Sequence, residues 1–166
     1  LNNKLITDLT GIEGFTSLAT LSYLSDTDVD SNFLLTSLDL TNNIALTHLS
    51  LDFHNLTSLD LSNNIALTYL SCVYTPLTSL DVSSNTNLSC QQSDLINLDL
   101  SNNGSLTTLN CSRNNLTSLN IQNGNNTNLS LPGKFNPDLD CIKVDDVDYS
   151  NANWINDIDS TASYGL

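Results

Sequence analysis

Basic residues are nearly absent from this sequence. Four Lys and Arg stand against 18 acids in 166 residues, and every acid but Glu13 is Asp. The resulting net charge of −14 argues against nucleic acid and anionic membrane surfaces as partners, because both would repel the chain. Methionine is missing, aromatic residues make up 6%, and the apolar content is concentrated in leucine. A chain of this composition fills a narrow, regular core and does not build a broad globular one. No apolar run approaches the length of a membrane span, so membrane insertion is not expected, and no signal peptide is recognisable. Leu1-Asn2-Asn3-Lys4 already reads as part of a repeat. A longer parent protein with other domains is therefore expected, with any export signal or anchor outside this stretch.

Histidine is scarce as well, with His48 and His54 the two in the chain. No nucleophile–base–acid set and no paired catalytic carboxylates stand out, and Asp52 near His54 is the sole pairing worth noting. The sequence is accordingly read as non-enzymatic. Cys72, Cys90 and Cys111 each lie five residues before a leucine, at Leu77, Leu95 and Leu116. Without CxxC spacing or nearby His ligands, they are read as small apolar fillers of a buried column, in preference to a metal site or disulfides. Cys141, in the tail, is set apart from them.

What the chain has in abundance is self-similarity. Leu35 to Pro76 reads LTSLDLTNNIALTHLSLDFHN and then LTSLDLSNNIALTYLSCVYTP, two consecutive 21-residue units. Each unit carries L-x-x-L-x-L twice, as at Leu35/Leu38/Leu40 and Leu46/Leu49/Leu51. Such a period marks a solenoid, whose coils cannot bury their apolar side alone. In L-x-L the flanking leucines point inward and the middle residue outward, and stacked coils set equivalent residues about 4.8 Å apart in parallel strands. Length alone allows roughly seven or eight coils with caps. The expected organisation is an opening coil with an acidic insertion over 1–34, the repeat array over 35–131 and a C-terminal capping segment over 132–166. One coil, Leu77 to Asp94, is short at 18 residues, the loss falling between Asn85 and Cys90. Trp154, Tyr149, Ile155 and Ile158 are the expected cover of the last coil. Asn43, Asn64, Asn85 and Asn103 share one turn position, where side-chain amides satisfy turn backbone. His54 replaces the turn Asn of its own coil and is expected to play the same part.

The stretch Leu106-Thr-Thr-Leu109-Asn-Cys111-Ser-Arg-Asn114-Asn-Leu116-Thr-Ser-Leu119-Asn-Ile121 resembles the leucine-rich repeats of the nested 21-residue variety called IRREKO, L-x-x-L-x-C-x-x-N-x-L-x-x-L-D-L-x-x-N. The coil from Leu67 departs from this pattern at Thr75 and the coil from Leu46 at His54. The tail CIKVDDVDYSNANW resembles those of secreted, multidomain proteins of flavobacteria and their relatives. The resemblance implies a right-handed, β-rich leucine-rich repeat solenoid with parallel strands on two sides of each coil and little or no helix. It also implies export to the cell surface or medium and a role in binding or adhesion, with no catalytic residues.

Comparing coils separates framework from variation. The outward residues of the L-D-L strand are monotonous: Ser37/Asp39/Thr41, Ser58/Asp60/Ser62, Ser79/Asp81/Ser83 and Asn97/Asp99/Ser101. Those of the other strand vary: His48/Ser50/Asp52, Tyr69/Ser71/Val73, Ser89/Gln91 and Thr108/Asn110/Ser112. The next position adds Phe53, Tyr74, Gln92 and Arg113. His48, Asp52, Phe53, Tyr69, Tyr74, Gln91 and Arg113 are therefore the candidate ligand-binding residues, since stacking sets equivalent positions side by side and Tyr and Arg are typical interface anchors. The partner class is an extracellular protein or a polysaccharide, whose rings also stack on aromatics. The competing reading is a structural spacer within a longer exported protein. The Asp column would repel itself by about 1 kcal/mol per pair in bulk dielectric, and Ser and Thr neighbours are expected to hydrogen-bond the carboxylates. No cofactor is expected. Asp26-Thr-Asp28-Val-Asp30-Ser-Asn32 resembles the opening of a calcium loop, but Ser31 and Ser37 stand where glycine and an acid are required, so a solvated acidic loop is the preferred reading.

Overall fold

The architecture is that of a computed structural model, which describes residues 8–23, 35–78, 80, 82 and 85–166. The acidic run 26–32 and, in the L-D-L column, Ser79, Asp81 and Ser83 lie outside the described residues.

Three-residue strands form where one apolar residue points inward between two neighbours, a leucine in the first seven, Ile142 in the eighth and Tyr164 in the ninth. They are β1 (Thr20–Ser22), β2 (His48–Ser50), β3 (Tyr69–Ser71), β4 (Asn87–Ser89), β5 (Asn97–Asp99), β6 (Thr108–Asn110), β7 (Ser118–Asn120), β8 (Cys141–Lys143) and β9 (Ser163–Gly165), with one seven-residue helix, α1 (Val147–Asn153), before the last. All strand pairs are parallel and fall into two sheets, β1-β2-β3-β4-β6 and β5-β7-β8-β9. The protein is a parallel β-solenoid built of leucine-rich coils. The longer sheet has five strands, fewer than the seven or eight coils that length allows; the rest of the chain lies in the segment before Leu35 and in the tail. On the L-D-L side, among the described residues, the hydrogen-bonded sheet begins at β5, and the equivalent segments 37–39 and 58–60 carry no strand.

The core is one leucine column after another. Leu49, Leu70, Leu88 and Leu109 are each 0% exposed, and they share one register. Burying such a side chain contributes roughly 2 kcal/mol, which is what draws successive coils together. Threonines tie the coils at the start of the first sheet. Thr47 Oγ1 donates to the Ala19 carbonyl at 2.9 Å, Thr68 to Thr47 at 3.2 Å, Thr86 to Thr68 at 3.1 Å and Thr107 to Thr86 at 3.1 Å.

The expected asparagine column is buried, and three of its four members, Asn43, Asn64 and Asn103, are bonded to turn backbone, whereas Asn85 leaves its Nδ2 without a partner among the described residues. Asn43 Nδ2 donates to the carbonyls of Ile12 and Phe15, and Asn64 Nδ2 to those of Leu40 and Asn43. Asn103 Nδ2 donates to the Val82 carbonyl. The tail continues the second sheet through β8 and β9, with α1 between them capped by Asp146, whose side chain accepts from Tyr149 N. Trp154 and Ile158 are buried, and Tyr149 packs edge-on to Trp154 at 5.8 Å. Ile155, expected among the cover, is instead 55% exposed. It follows the end of α1, where the chain turns its side chain outward, and Tyr164 of β9 fills the place against Trp154 at 6.2 Å.

Candidate functional site

The parallel register of the first sheet turns its outward residues into columns that run across coils. The first column holds Thr20, His48, Tyr69, Asn87 and Thr108. Its His48 and Tyr69 rings face each other at 6.0 Å with planes 22° apart, and His48 Nδ1 lies 2.9 Å from Thr47 Oγ1. Beyond the serine column that follows stand Asp52, Val73, Gln91, Ser112 and Lys134, in register through backbone bonds such as Phe53 N to Val73 O and Arg113 N to Lys134 O. Asp52 acts here as framework. Its carboxylate accepts from Ser71 Oγ at 2.7 Å and from Val73 N at 2.8 Å, tying one coil to the next. Gln91 Oε1 likewise accepts from Asn110 Nδ2 at 3.3 Å.

Immediately after this column the backbone does something costly in five successive coils. Phe53, Tyr74, Gln92, Arg113 and Phe135 all have positive φ, at 61, 56, 54, 59 and 67°. The left-handed conformation costs a residue with a Cβ about 1–2 kcal/mol, which glycine would avoid. The turn is imposed by the next residue, which must face inward. His54 Nε2 donates to the Tyr23 carbonyl at 3.0 Å, Thr75 Oγ1 to Leu51 at 2.9 Å and Ser93 Oγ to Cys72 at 2.9 Å. Asn114 Nδ2 donates to Cys90 at 2.9 Å and Asn136 Nδ2 to Cys111 at 3.1 Å. His54 therefore fills the turn role expected of it. Its burial holds its pKa below the ordinary 6.5, a direction opposed by the Tyr23 carbonyl and by Asp52.

Two pairs of these side chains meet across neighbouring coils. The Phe53 and Tyr74 rings lie 4.7 Å apart with planes 15° from parallel. The Arg113 guanidinium lies 5.0 Å from the centre of the Phe135 ring. Phe53, Tyr74, Gln92, Arg113 and Phe135 thus form one ladder of planar groups. Of the residues singled out from sequence, His48 and Tyr69 come together as one pair, and Phe53 and Tyr74 as another in the same column as Arg113. Asp52 and Gln91 stand in the neighbouring column and are engaged by the framework. Phe135 was not anticipated. It lies 22 residues after Arg113, one more than the repeat, beyond an Asn- and Gly-rich stretch where the template fades.

The other columns are structural. Asp39 Oδ1 accepts from Thr41 N at 3.0 Å and Thr41 Oγ1 at 2.7 Å, while Asp60 and Asp99 accept from Ser62 N and Ser101 N at 2.9 Å. These bonds hold the three carboxylates below the usual Asp range; for Asp39, repulsion from Asp60 is the weakest influence acting. Cys72, Cys90 and Cys111 are fully buried free thiols pointing at carbonyls of the next coil, at 3.8, 3.6 and 4.0 Å. Burial pushes Cys72 and Cys111 up to about 12 and Cys90 well above its ordinary value, so they are inert fillers. Tyr23, two coils before Cys72 in the same column, turns its ring onto His54 at 4.7 Å. Among the described residues no group of three or more His, Cys, Asp or Glu is placed to hold a metal ion.

No family model matches the chain, and no curated protein matches it. Among solved structures it is similar to the functional domain of InlJ from Listeria monocytogenes, described as including a cysteine ladder, at 27% identity with a TM-score of 0.44. That match covers 83% of this chain, which spans 41% of the other.

Proposed function

We propose that the chain is a non-catalytic binding module of an exported bacterial surface protein, recognising a protein partner through the outward face of the first sheet and the ladder beside it. The observation that carries this reading is the repeated left-handed residue with a large planar side chain. A purely structural turn would favour glycine or asparagine there, since neither carries the full conformational cost. Aromatic and Arg side chains at exposed, repeated positions are the residue types that anchor protein interfaces. Protein is favoured over carbohydrate because a repeat solenoid offers an extended, shallow surface. The relief points the same way. The concavities at Asp8, Glu13 and Asp39, and at Asp99, Asn120 and Lys143, lie away from the ladder, and small ligands favour concave sites.

The test is binding of the folded chain to an immobilised panel of polysaccharides and extracellular proteins, with and without calcium, beside the variant Tyr69→Ala/Tyr74→Ala. Capture of a protein that the variant fails to hold is the expected result. A sugar held through the same residues would reverse the preference for protein. A blank panel with a folded domain would favour a spacer.

A further inference from the structure

The charge of this protein is distributed unevenly, and the binding face is where it thins out. In the columns running through residues 48, 50, 52 and 53, the described coils up to Phe135 hold one acid, Asp52, although the chain has 18; the exposed Asp157 continues the Ser50 column one coil later, its carbonyl accepting from Gly133 N at 2.8 Å. Asp52 Oδ1 accepts from both Ser71 Oγ and Val73 N, while Oδ2 is reached by Ser50 Oγ at 3.5 Å. The same columns hold Arg113 and Lys134, two of the four basic residues of the chain, in adjacent coils and both exposed. Asp159 approaches this end, but its two oxygens accept from Phe135 N at 3.1 Å and from Asn136 N. The Arg113 guanidinium carbon lies over the Phe135 ring, 5.0 Å from its centre. A guanidinium resting on an aromatic ring keeps N–H groups to grip a carboxylate with two parallel hydrogen bonds.

Resting on the reading of this face as a protein-binding surface, we propose that its partner is a carboxylate-bearing protein segment. Arg113 clamps a side-chain carboxylate with Lys134 beside it, while Tyr74 and Phe53 receive the neighbouring residues. The net charge of −14 repels such a segment from the rest of the molecule, so the segment is steered to this end and fixed in one direction. Four inter-strand spacings separate Phe53 from Phe135, roughly 19 Å at ~4.8 Å each, a span covered by roughly six residues of extended peptide.

The experiment is panning of the whole chain against random peptides of about twelve residues, twice that span, followed by affinities of the recovered peptides in solution. Alginate, an anionic sugar chain, serves as a parallel probe. Recovered peptides should be enriched in Asp and Glu over Lys and Arg. Their affinity should fall roughly ten- to a hundredfold in Arg113→Ala, less in Arg113→Lys, and should decline with salt. Replacing Glu by Gln in the peptide must weaken binding to the unaltered protein, a result independent of how the variants fold. Peptides lost in Tyr69→Ala/Tyr74→Ala but without acidic enrichment, and held equally by Arg113→Ala, would overturn this inference and leave the binding face standing. Alginate held through Arg113 with no peptide recovered would overturn the protein class. Binding insensitive to Tyr69, Tyr74 and Arg113 alike would overturn both.

Discussion

Phe53 and Tyr74 stack at 4.7 Å although each holds a left-handed backbone, with φ of 61 and 56°. The stacking offsets a conformational cost that both residues carry, so the two effects separate by mutation. Tyr74→Ala keeps the strained backbone and loses the stack, and should destabilise the chain by about 1 kcal/mol. Tyr74→Gly loses the same stack but relieves the strain, and should be the more stable of the two by about 1 kcal/mol. Urea denaturation of both, with Phe53→Ala completing a double-mutant cycle, measures the coupling. A cycle that closes to zero would mean that the rings merely lie side by side.

The buried polar column carries more stability than the exposed ladder. Asn114 donates to the carbonyls of Cys90 and Cys111 and accepts from Leu95 N at 3.2 Å, all inside the core. Removing it leaves those groups without partners, and Asn114→Ala should cost about 3 kcal/mol. Thr75 makes one such bond, to Leu51 O, and Thr75→Val should cost about 1 kcal/mol. Equal costs at the two sites would contradict this ordering.

Acid should weaken the fold in two steps. Burial lowers the His54 pKa in the folded state below its unfolded value near 6.5, so the unfolded chain binds the extra proton first. The contribution is complete above about pH 6.5 and is lost as pH falls through and below it. Denaturation midpoints should drop between about pH 7 and about pH 5, and His54→Asn, which restores the repeat's own residue, should flatten that interval. Asp39, Asp60 and Asp99 are depressed by their own turn hydrogen bonds, so their contribution is present above the ordinary Asp value of 3.8 and fades below it. A stability profile in His54→Asn that still slopes between pH 5 and 7 as in the parent would remove His54 as the cause.

The four cysteines should react in two classes. Cys141 is exposed, while Cys72, Cys90 and Cys111 are buried. A disulfide reagent should modify one thiol of the native protein quickly and the other three only after denaturation. Cys141→Ser should abolish the fast phase. Rapid modification of a second thiol would place one of the ladder cysteines at the surface.

Much of this was legible in the residues themselves. The 21-residue period of Leu35 to Pro76 and the x-L-x alternation decide on a solenoid of parallel strands, because each coil can bury its leucines only against another like it. They also determine which residues face outward, and so the candidates His48, Tyr69, Phe53, Tyr74 and Arg113. The role of His54 followed from its place in the template. Tertiary structure decided what a repeat pattern does not encode. It engaged Asp52 and Gln91 in bonds between coils, turned Ile155 outward and brought Tyr164 in against Trp154, since packing at the end of a solenoid depends on the unique tail. It also added Phe135 to the ladder across a break in the period. Whether a side chain is free to bind or already held depends on distances between neighbouring coils, and those arise only once the coils stack.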